Sequence, residues 1–351
     1  MKPMKPFIII TGRSGRIGSR SAERLSSKYT VIGLDLASPK QSVPNELFFS
    51  VDLESEESVQ AAFKSIRERC GHTIASVVHL AAYYSFTGEH PEKYDLITVR
   101  GTERILKQLQ SFTVEQFIFS STMLVYSPCK PTEKINEDSP IHAKWDYPLS
   151  KIKTETLLRE CHKDIPLVLL RIAGVYDDGC HSIPISNQIQ RIYEKQLTSK
   201  VFPGNLSHGA AFIHMDDLVD ALEFCIELRM KLPSETTLIL GEDKTLSYDE
   251  LQRKISFFLF GKEMATFQIP KIIAKMGAYL QDKLPFMPKS FIKPWMIDIA
   301  DNNYSLDITR AKKLLDWSPK RCLENTLPKM IADLKANPTA WYKENNLLTN
   351  Q

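Results

Sequence analysis

Residues 7–18 read Phe7-Ile8-Ile9-Ile10-Thr11-Gly12-Arg13-Ser14-Gly15-Arg16-Ile17-Gly18, a short apolar run that breaks into a glycine turn and then into a helical pattern. Strand, glycine turn and helix in that order build an anion site. The glycines let backbone approach a phosphate, and the first N–H groups of the helix face it together with the helix dipole. A tight turn without ligand is the alternative when these residues are taken alone. Asp35 favours the first reading, because it closes the second apolar run, VIGLD, where a carboxylate can accept hydrogen bonds from the adenosine ribose hydroxyls of a dinucleotide. A 2′-phosphate there would meet like charge, so NAD is favoured over NADP, although Arg13 and Arg16 could pair with a phosphate and partly offset the repulsion. The bland alternative has Asp35 capping a turn and both arginines solvated. Asp52, in SVDLES after the third run, suits the adenine amino group and equally suits a helix N-cap.

The same rhythm continues outward. FIII, VIGL, LFFSV, SVVHL, FIFS and LVLLRI are short apolar runs bounded by turn signals, with amphipathic stretches between most of them. The expected fold is α/β, a Rossmann-type doubly wound parallel sheet with helices on both faces, joined to a smaller, mostly helical substrate-binding domain. After Tyr176 the alternation weakens, and ISNQIQRIYEKQL and YDELQRKISFFLF read as helices interrupted by PGN and LPFMPKSFIKP. TTLILG reads as a late strand that returns to the sheet, so the domains interleave. Residues 1–176 form the NAD-binding domain, with a returning segment near 210–242; residues 177–209 and 243–335 form the substrate-binding domain; and 336–351 are a C-terminal surface extension.

Composition narrows the class. A chain of 351 residues with 43% hydrophobic and 25% charged residues is ordinary for a globular enzyme, and 45 basic against 42 acidic residues are too balanced for an electrostatic nucleic-acid binder. The six cysteines form no CxxC or Cys/His cluster, so zinc is not expected and buried thiols in a reducing compartment are. MKPMKPFIII lacks the length and cleavage region of a signal peptide, and no apolar run approaches roughly 18 residues, so a cytoplasmic location without a transmembrane segment is expected. The stretch from Met264 to Ile299, with Phe267, Tyr279, Phe286, Phe291 and Trp295, reads as two packed helices joined by a proline-rich loop, ahead of an apolar lid or a peripheral membrane contact.

Trp145-Asp146-Tyr147-Pro148-Leu149-Ser150-Lys151 places a phenol and an ammonium four residues apart where a helix begins. Positions i and i+4 share a helix face, so the ammonium can favour the ionised phenol. Pro148 is tolerated in a first turn, and Asp146 is a candidate N-cap. Alone, the pair also suits an ordinary solvated helix.

Taken together these motifs resemble an extended short-chain dehydrogenase/reductase, the NAD-dependent epimerase/dehydratase group, over nearly the whole chain. His79-Leu80-Ala81-Ala82, SSTMLVY from Ser120 to Tyr126, Leu170-Arg171 through Val175-Tyr176, Phe212-Ile213-His214 with Asp216-Asp217, and Leu306-Asp307-Ile308 with Ala311 to Pro319 fall in the family's order. The resemblance implies Thr122, Tyr147 and Lys151 as the catalytic set. It implies a cofactor pocket from Gly12, Arg13, Ser14, Gly15, Arg16, Ile17, Gly18, Asp35, Asp52, Leu53, Leu80, Ala81 and Ala82, with Tyr147 and Lys151. Tyr147 would exchange a proton with the substrate oxygen, Thr122 would hold that oxygen, and Lys151 would bond the nicotinamide ribose. A free phenol with a pKa of about 10 needs about 4 kcal/mol of preferential stabilisation to titrate near 7, and Lys151 and an oxidised nicotinamide are the expected sources. The family also implies a homodimer through helices near Tyr94 to Gln110 and Ile152 to His162, although their apolar positions equally suit the chain's own sheet. His79, Ser120 and Ser121 read better as strand-end groups bonded to neighbouring backbone, and Asp216 and Asp217 as caps of LVDALEFCIEL.

Departures from the pattern narrow the chemistry. Thr98 stands where the family often has the asparagine of NVxGT, and Met123 and Leu124 follow Thr122 where sugar dehydratases carry Asp-Glu. Gly174 replaces an asparagine usual in nucleotide-sugar epimerases, and Gly209, Ala210 and Ala211 precede FIH without their arginine, so no amide or guanidinium is evident for a diphosphate. The expected activity is NAD-dependent hydride transfer to or from a small secondary alcohol or ketone that is less anionic. A (nucleotide-)sugar epimerase is the alternative, and a nonenzymatic NAD(P)-sensing protein comes third, because a sensor has no use for a tuned phenol.

Overall fold

Seven of the apolar runs become strands of one sheet: β1 (Phe7–Thr11), β2 (Thr30–Asp35), β3 (Leu47–Ser50), β4 (Ser76–His79), β5 (Phe117–Thr122), β6 (Leu167–Ile172) and β7 (Glu235–Leu240). The computed structural model describes residues 5–85, 90–283 and 294–347. Every pairing is parallel, in the order β7-β6-β5-β4-β1-β2-β3. Near-continuous apolar strands suit a sheet covered on both faces. Alternate residues divide accordingly. Ile8, Ile10, Val31 and Ile118 face a core shared with Ala22 and Leu25 of α1 (Arg16–Leu25). Ile9, Ile32, Val77 and Phe117 face the opposite core, shared with Val59 and Phe63 of α2 (Glu56–Cys70) and Ile105 and Leu109 of α3 (Arg100–Leu109). The TTLILG run does return: β7 pairs with β6 from Glu235↔Leu167 to Leu240↔Ile172. The buried apolar residues of α3, and Leu158 of α4 (Asp146–Cys161), serve the chain's own sheet.

Beyond the sheet, α5 (Ile183–Tyr193), α6 (Met215–Glu227), α7 (Tyr248–Phe260), α8 (Lys271–Lys283), α9 (Pro294–Ile299), α10 (Thr309–Leu315), α11 (Leu323–Ala336) and α12 (Pro338–Glu344) follow. Ile185, Ile189, Ile255, Leu327 and Ile331 build a third core from α5, α7 and α11. The C-terminal stretch is not a surface extension: Trp341 and Tyr342 of α12 are 3% and 5% exposed and belong to that third core. The Tyr342 phenol donates to Glu194 at 2.7 Å. Lys275 of α8 pairs with Asp298 of α9 at 2.5 Å, while Phe286 and Phe291 lie outside the described residues. No helix among the described residues is long and apolar enough to cross a membrane. Of the six free cysteines, Cys180 and Cys225 are buried, but Cys161 is exposed and the other three are half-buried, which corrects the expectation of uniformly buried thiols.

Several carboxylates expected as caps do other work. The helix α4 starts at Asp146 itself, after an extended Trp145 that makes no side-chain cap bond, so Asp146 sits in the first turn, where a negative charge suits the dipole. The cap of α6 is His214, whose Nδ1 accepts the Asp216 N–H at 3.1 Å. Asp216 pairs with Arg20 at 2.7 Å. Asp217, fully buried, accepts the N–H groups of Lys320 and Arg321 at 3.1 and 2.8 Å and the Arg321 guanidinium at 2.9 Å, tying the C-terminal region to α6.

Arg13 also departs from expectation. It is 1% exposed and bonded to the Glu46 carboxylate, the Gln41 carbonyl and the Ser19 hydroxyl, so its guanidinium ties the turn after β1 to α1 and to the loop between β2 and β3, and is not solvated or free for a phosphate. Removing one partner of a buried pair leaves an uncompensated charge. Glu46→Ala is therefore expected to lower the unfolding free energy by about 3 kcal/mol. Urea denaturation checks this; a loss below about 1 kcal/mol, the scale of a surface pair, would show that the bridge does not brace the fold.

Candidate active site

In an open α/β sheet, ligands gather outside the carboxyl ends of the strands. Here Thr11, His79 and Thr122 end β1, β4 and β5 side by side. The glycine turn after Thr11 is tight for two reasons. Gly12 has φ +69°, and a Cβ on it would lie 2.9 Å from the Ala81 nitrogen; a Cβ on Gly18 would lie 2.1 Å from the Gly12 carbonyl oxygen. Gly15 precedes α1 without any side-chain cap bond, which leaves the first N–H groups of that helix for an anion. The turn thus fits a pyrophosphate. Asp35 accepts the Ser14 and Leu36 N–H groups at 2.8 and 2.7 Å and fixes the far side of the turn. Arg16 donates to the Glu344 carbonyl at 3.1 Å. Asp52 is not the helix cap: Ser55 caps α2 by accepting the Ser58 N–H at 3.1 Å, and Asp52 accepts the Glu54 N–H at 2.9 Å in the loop before it. Leu53, next to it, packs into the core and gives its carbonyl to Arg104.

His79 is a strut. Thr11 Oγ1 accepts the Leu80 and Ala81 N–H groups, so its hydroxyl donates to His79 Nδ1 at 2.7 Å. The other ring nitrogen, Nε2, then donates to Thr102 Oγ1 at 2.8 Å, and Thr102 passes its proton to the Thr98 carbonyl at 2.6 Å. Burial, with Lys151 nearby, pushes His79 down to about 3, so it is neutral. Its partners are side-chain hydroxyls, not the backbone expected. Ser120 does bond backbone, donating to the His79 carbonyl at 3.1 Å, whereas Ser121 donates to Glu155 at 2.5 Å. Thr98, in place of the family's asparagine, accepts the Tyr83 N–H at 3.0 Å through its hydroxyl.

Pro148 lies in the first turn of α4, and Tyr147 and Lys151 project from that helix toward the end of β5. Burial raises the Tyr147 phenol to about 12, against the pull of the neighbouring Thr122 hydroxyl, and Tyr94 adds to the rise. Lys151 does not depress it. The amine donates to the Ser120 carbonyl at 2.7 Å and lies 5.8 Å from the Tyr147 ring centroid, and burial takes the amine down to about 7 despite Glu155. Behind this pair, burial alone would raise Glu155, but Arg171 at 2.7 Å and the Ser121 hydroxyl hold it below its ordinary value. Arg171 also donates to the Tyr126 phenol at 2.6 Å, so it braces the back wall.

Thr122, Tyr147 and Lys151 open on a cavity of about 720 Å³ that also reaches Ile17, Leu80 and Ala82 of the cofactor loops. Tyr84 stands edge-on to the Tyr147 ring, with 4.8 Å between centroids. Trp145 lies 5.6 Å from Tyr147 and 5.4 Å from Trp295 of α9. Gly174, Ala210 and Ala211 contribute no polar side chain to the wall. The fold nevertheless brings in a guanidinium: α5 lines the cavity with Asn187, Gln188 and Arg191. Motif comparison misses Arg191 because it stands outside every matched motif. Its i, i+4 spacing from Asn187 was the available signal. Among the described residues no group of three or more His, Cys, Asp or Glu side chains gathers to hold a metal ion.

The model of the NAD dependent epimerase/dehydratase family matches residues 8–241. The chain is 25% identical to dTDP-4-dehydro-6-deoxyglucose reductase of Escherichia coli over 95% of this chain and 99% of that one. It is 24% identical to UDP-glucuronate 4-epimerase of Thermodesulfobacterium geofontis over 97% of each. The structure of UDP-glucose 4-epimerase from Thermotoga maritima with UDP-glucose shares the fold, with a TM-score of 0.71 and 23% identity over 95% of this chain and 99% of that one.

Lys151 gives the site a pH signature. Its amine titrates near 7 in the fold and at 10.5 when unfolded, so between those values the unfolded chain binds the extra proton. Stability is therefore expected to rise with pH from about 7 toward 10, and Lys151→Met to flatten that rise. Urea midpoints across the window measure it. Identical slopes in the two proteins would mean that the buried amine stays cationic.

Proposed function

The chain belongs to the NAD dependent epimerase/dehydratase family, and from that premise we propose that it transfers hydride between NAD and a secondary alcohol or ketone, with Tyr147 as acid and base. As a member it is an NAD-dependent enzyme, which leaves the sensor alternative aside. The observation that carries the proposal is that Thr122 and Tyr147 line one cavity together, with Lys151 one helical turn from Tyr147 on the same helix.

Bound NAD would supply the hydride acceptor or donor. The uncapped start of α1 would hold its pyrophosphate, Asp35 its adenosine ribose and Lys151 its nicotinamide ribose. A phenol raised to about 12 keeps its proton at neutral pH, so Tyr147 stands ready to protonate a carbonyl oxygen in reduction. In oxidation the same oxygen accepts the substrate's hydroxyl proton, which requires added positive charge near the phenol. Thr122 holds the substrate oxygen in reach of Tyr147, and the Tyr84 and Trp145 rings exclude water from the exchange. Met123 and Leu124 can neither donate nor accept an eliminated proton, so dehydration is disfavoured. Division of labour between residues 1–176 with 210–242 and residues 177–209 with 243–335, a homodimer and a cytoplasmic setting belong to the same proposal.

Epimerisation is the second reading, favoured by the names of several relatives. The two differ in cofactor fate, since an epimerase regenerates its own NAD. A screen of alcohols, sterol-like compounds and free or nucleotide-linked sugars, followed by NADH absorbance and product stereochemistry, separates them. Tyr147→Phe is expected to lose about 100-fold or more in turnover with NAD binding intact, in the range of general acid-base effects. Equal turnover in that variant would remove Tyr147 from the mechanism.

A further inference from the structure

The cavity has a one-sided charge. Among the described residues no Asp or Glu lines it, whereas Lys144, Lys151, Arg191, His142, His181 and His208 do. Most of the inner basic groups are already engaged. Lys151 donates to the Ser120 carbonyl, His181 meets Asp177 at 2.7 Å, and His208 meets the Asp301 carbonyl at 2.5 Å. Lys144 and His142 lie exposed. Arg191 differs: it is half-buried, and among the described residues its guanidinium has neither an ion pair nor a hydrogen bond. Its position is set by α5, whose Ile185, Ile189 and Ile192 are buried in the third core, and its neighbour Gln188 is tied to Gln252 at 3.1 Å. The lining also carries large apolar and aromatic side chains, with Phe202 stacked on Tyr248 at 3.8 Å, and with Leu246, Leu251 and Trp295.

A guanidinium against apolar walls gives up hydration that an anion in bidentate contact restores. The rest of the space rewards apolar bulk, because burying such surface stabilises a ligand by roughly 25 cal/mol per Å². A nucleotide sugar would bring two phosphates, a ribose and a base, and the wall at Gly174, Ala210 and Ala211 has no polar side chain to meet them. Resting on the hydride-transfer reading above, we propose that the substrate is an amphipathic alcohol or ketone whose apolar body fills this cavity and whose single carboxylate or phosphate is held by Arg191. Arg191 is then a specificity-determining residue, and the proton exchange occurs at Tyr147 in the same cavity.

Binding can be read without turnover from tryptophan fluorescence, because Trp145 and Trp295 line the cavity. Hydroxydecanoate, decyl phosphate and secondary decanol are titrated into the wild type, Arg191→Gln and Arg191→Lys, each first shown to be folded by circular dichroism. In the wild type at least one of the two anions is expected to bind about tenfold or more tighter than the alcohol, as a charge-assisted bond implies. Arg191→Gln should abolish that preference with the alcohol's affinity unchanged, and Arg191→Lys should keep part of it. Carboxylate against phosphate identifies the head group. Equal affinity of anions and alcohol in the wild type, or a preference that survives in Arg191→Gln, overturns the assignment. Failure of Tyr147→Phe to lose turnover would leave these affinities unchanged, so the two proposals fail separately.

Discussion

A parallel sheet has to be covered on both faces, and the rest of this molecule follows from how that is done. Ile8, Ile9 and Ile10 are each fully buried, and successive residues serve opposite cores. Each crossover between neighbouring strands returns the chain to the same end of the sheet, so the carboxyl ends of β1, β4 and β5 converge. Thr11, His79 and Thr122 meet there, and the helices that cover the faces start beside them. The glycine turn is tight because α1 must approach β1 closely enough to cover it.

The electrostatics of the site follow from the same burial. His79 is held neutral between two threonine hydroxyls, Lys151 is lowered toward neutrality, and Glu155 keeps its charge only because Arg171 and Ser121 bond it. A buried network of this kind leaves few unmet bonds, and it fixes the wall from which Tyr147 and Thr122 project. The phenol stays protonated in the free chain. Positive charge brought close to it would favour its ionised form.

Apart from Thr98, which bonds Tyr83 and Thr102, the departures from the family lie on the substrate side. Gly174, Ala210 and Ala211 leave one wall without polar side chains, and Met123 and Leu124 remove the means for elimination, while the glycine turn, Asp35, Tyr147 and Lys151 stay in place. A fold shared at 23% identity with a UDP-glucose 4-epimerase does not by itself fix the substrate. Arg191 is the only guanidinium among the described residues that line the cavity, which is different chemistry from a diphosphate clamp.

Whatever depends on a few neighbouring residues was legible in the chain. Continuous apolar runs gave the strands, including the return of TTLILG, although Leu47, Phe48 and Phe49 of the edge strand β3 are only half-buried. The glycines gave the turn, and the spacing of Tyr147 and Lys151 gave their shared helix face. Pairings between distant residues were not legible, because packing alone decides them. Arg13 finds Glu46 across 33 positions, Trp145 meets Trp295, and Asp217 binds the backbone of Lys320 and Arg321 in place of capping its own helix. Caps were misread at Asp146 and Asp216 for a related reason, and the cap alternative at Asp52 gives way to Ser55. A side chain caps only if it stands just before the first helical residue, and a shift of one or two positions in that start changes its role. The entry of Arg191 into the cavity was likewise settled by tertiary structure, since it depends on how α5 packs against α7 and α11, and the i, i+4 spacing from Asn187 was its only local signal.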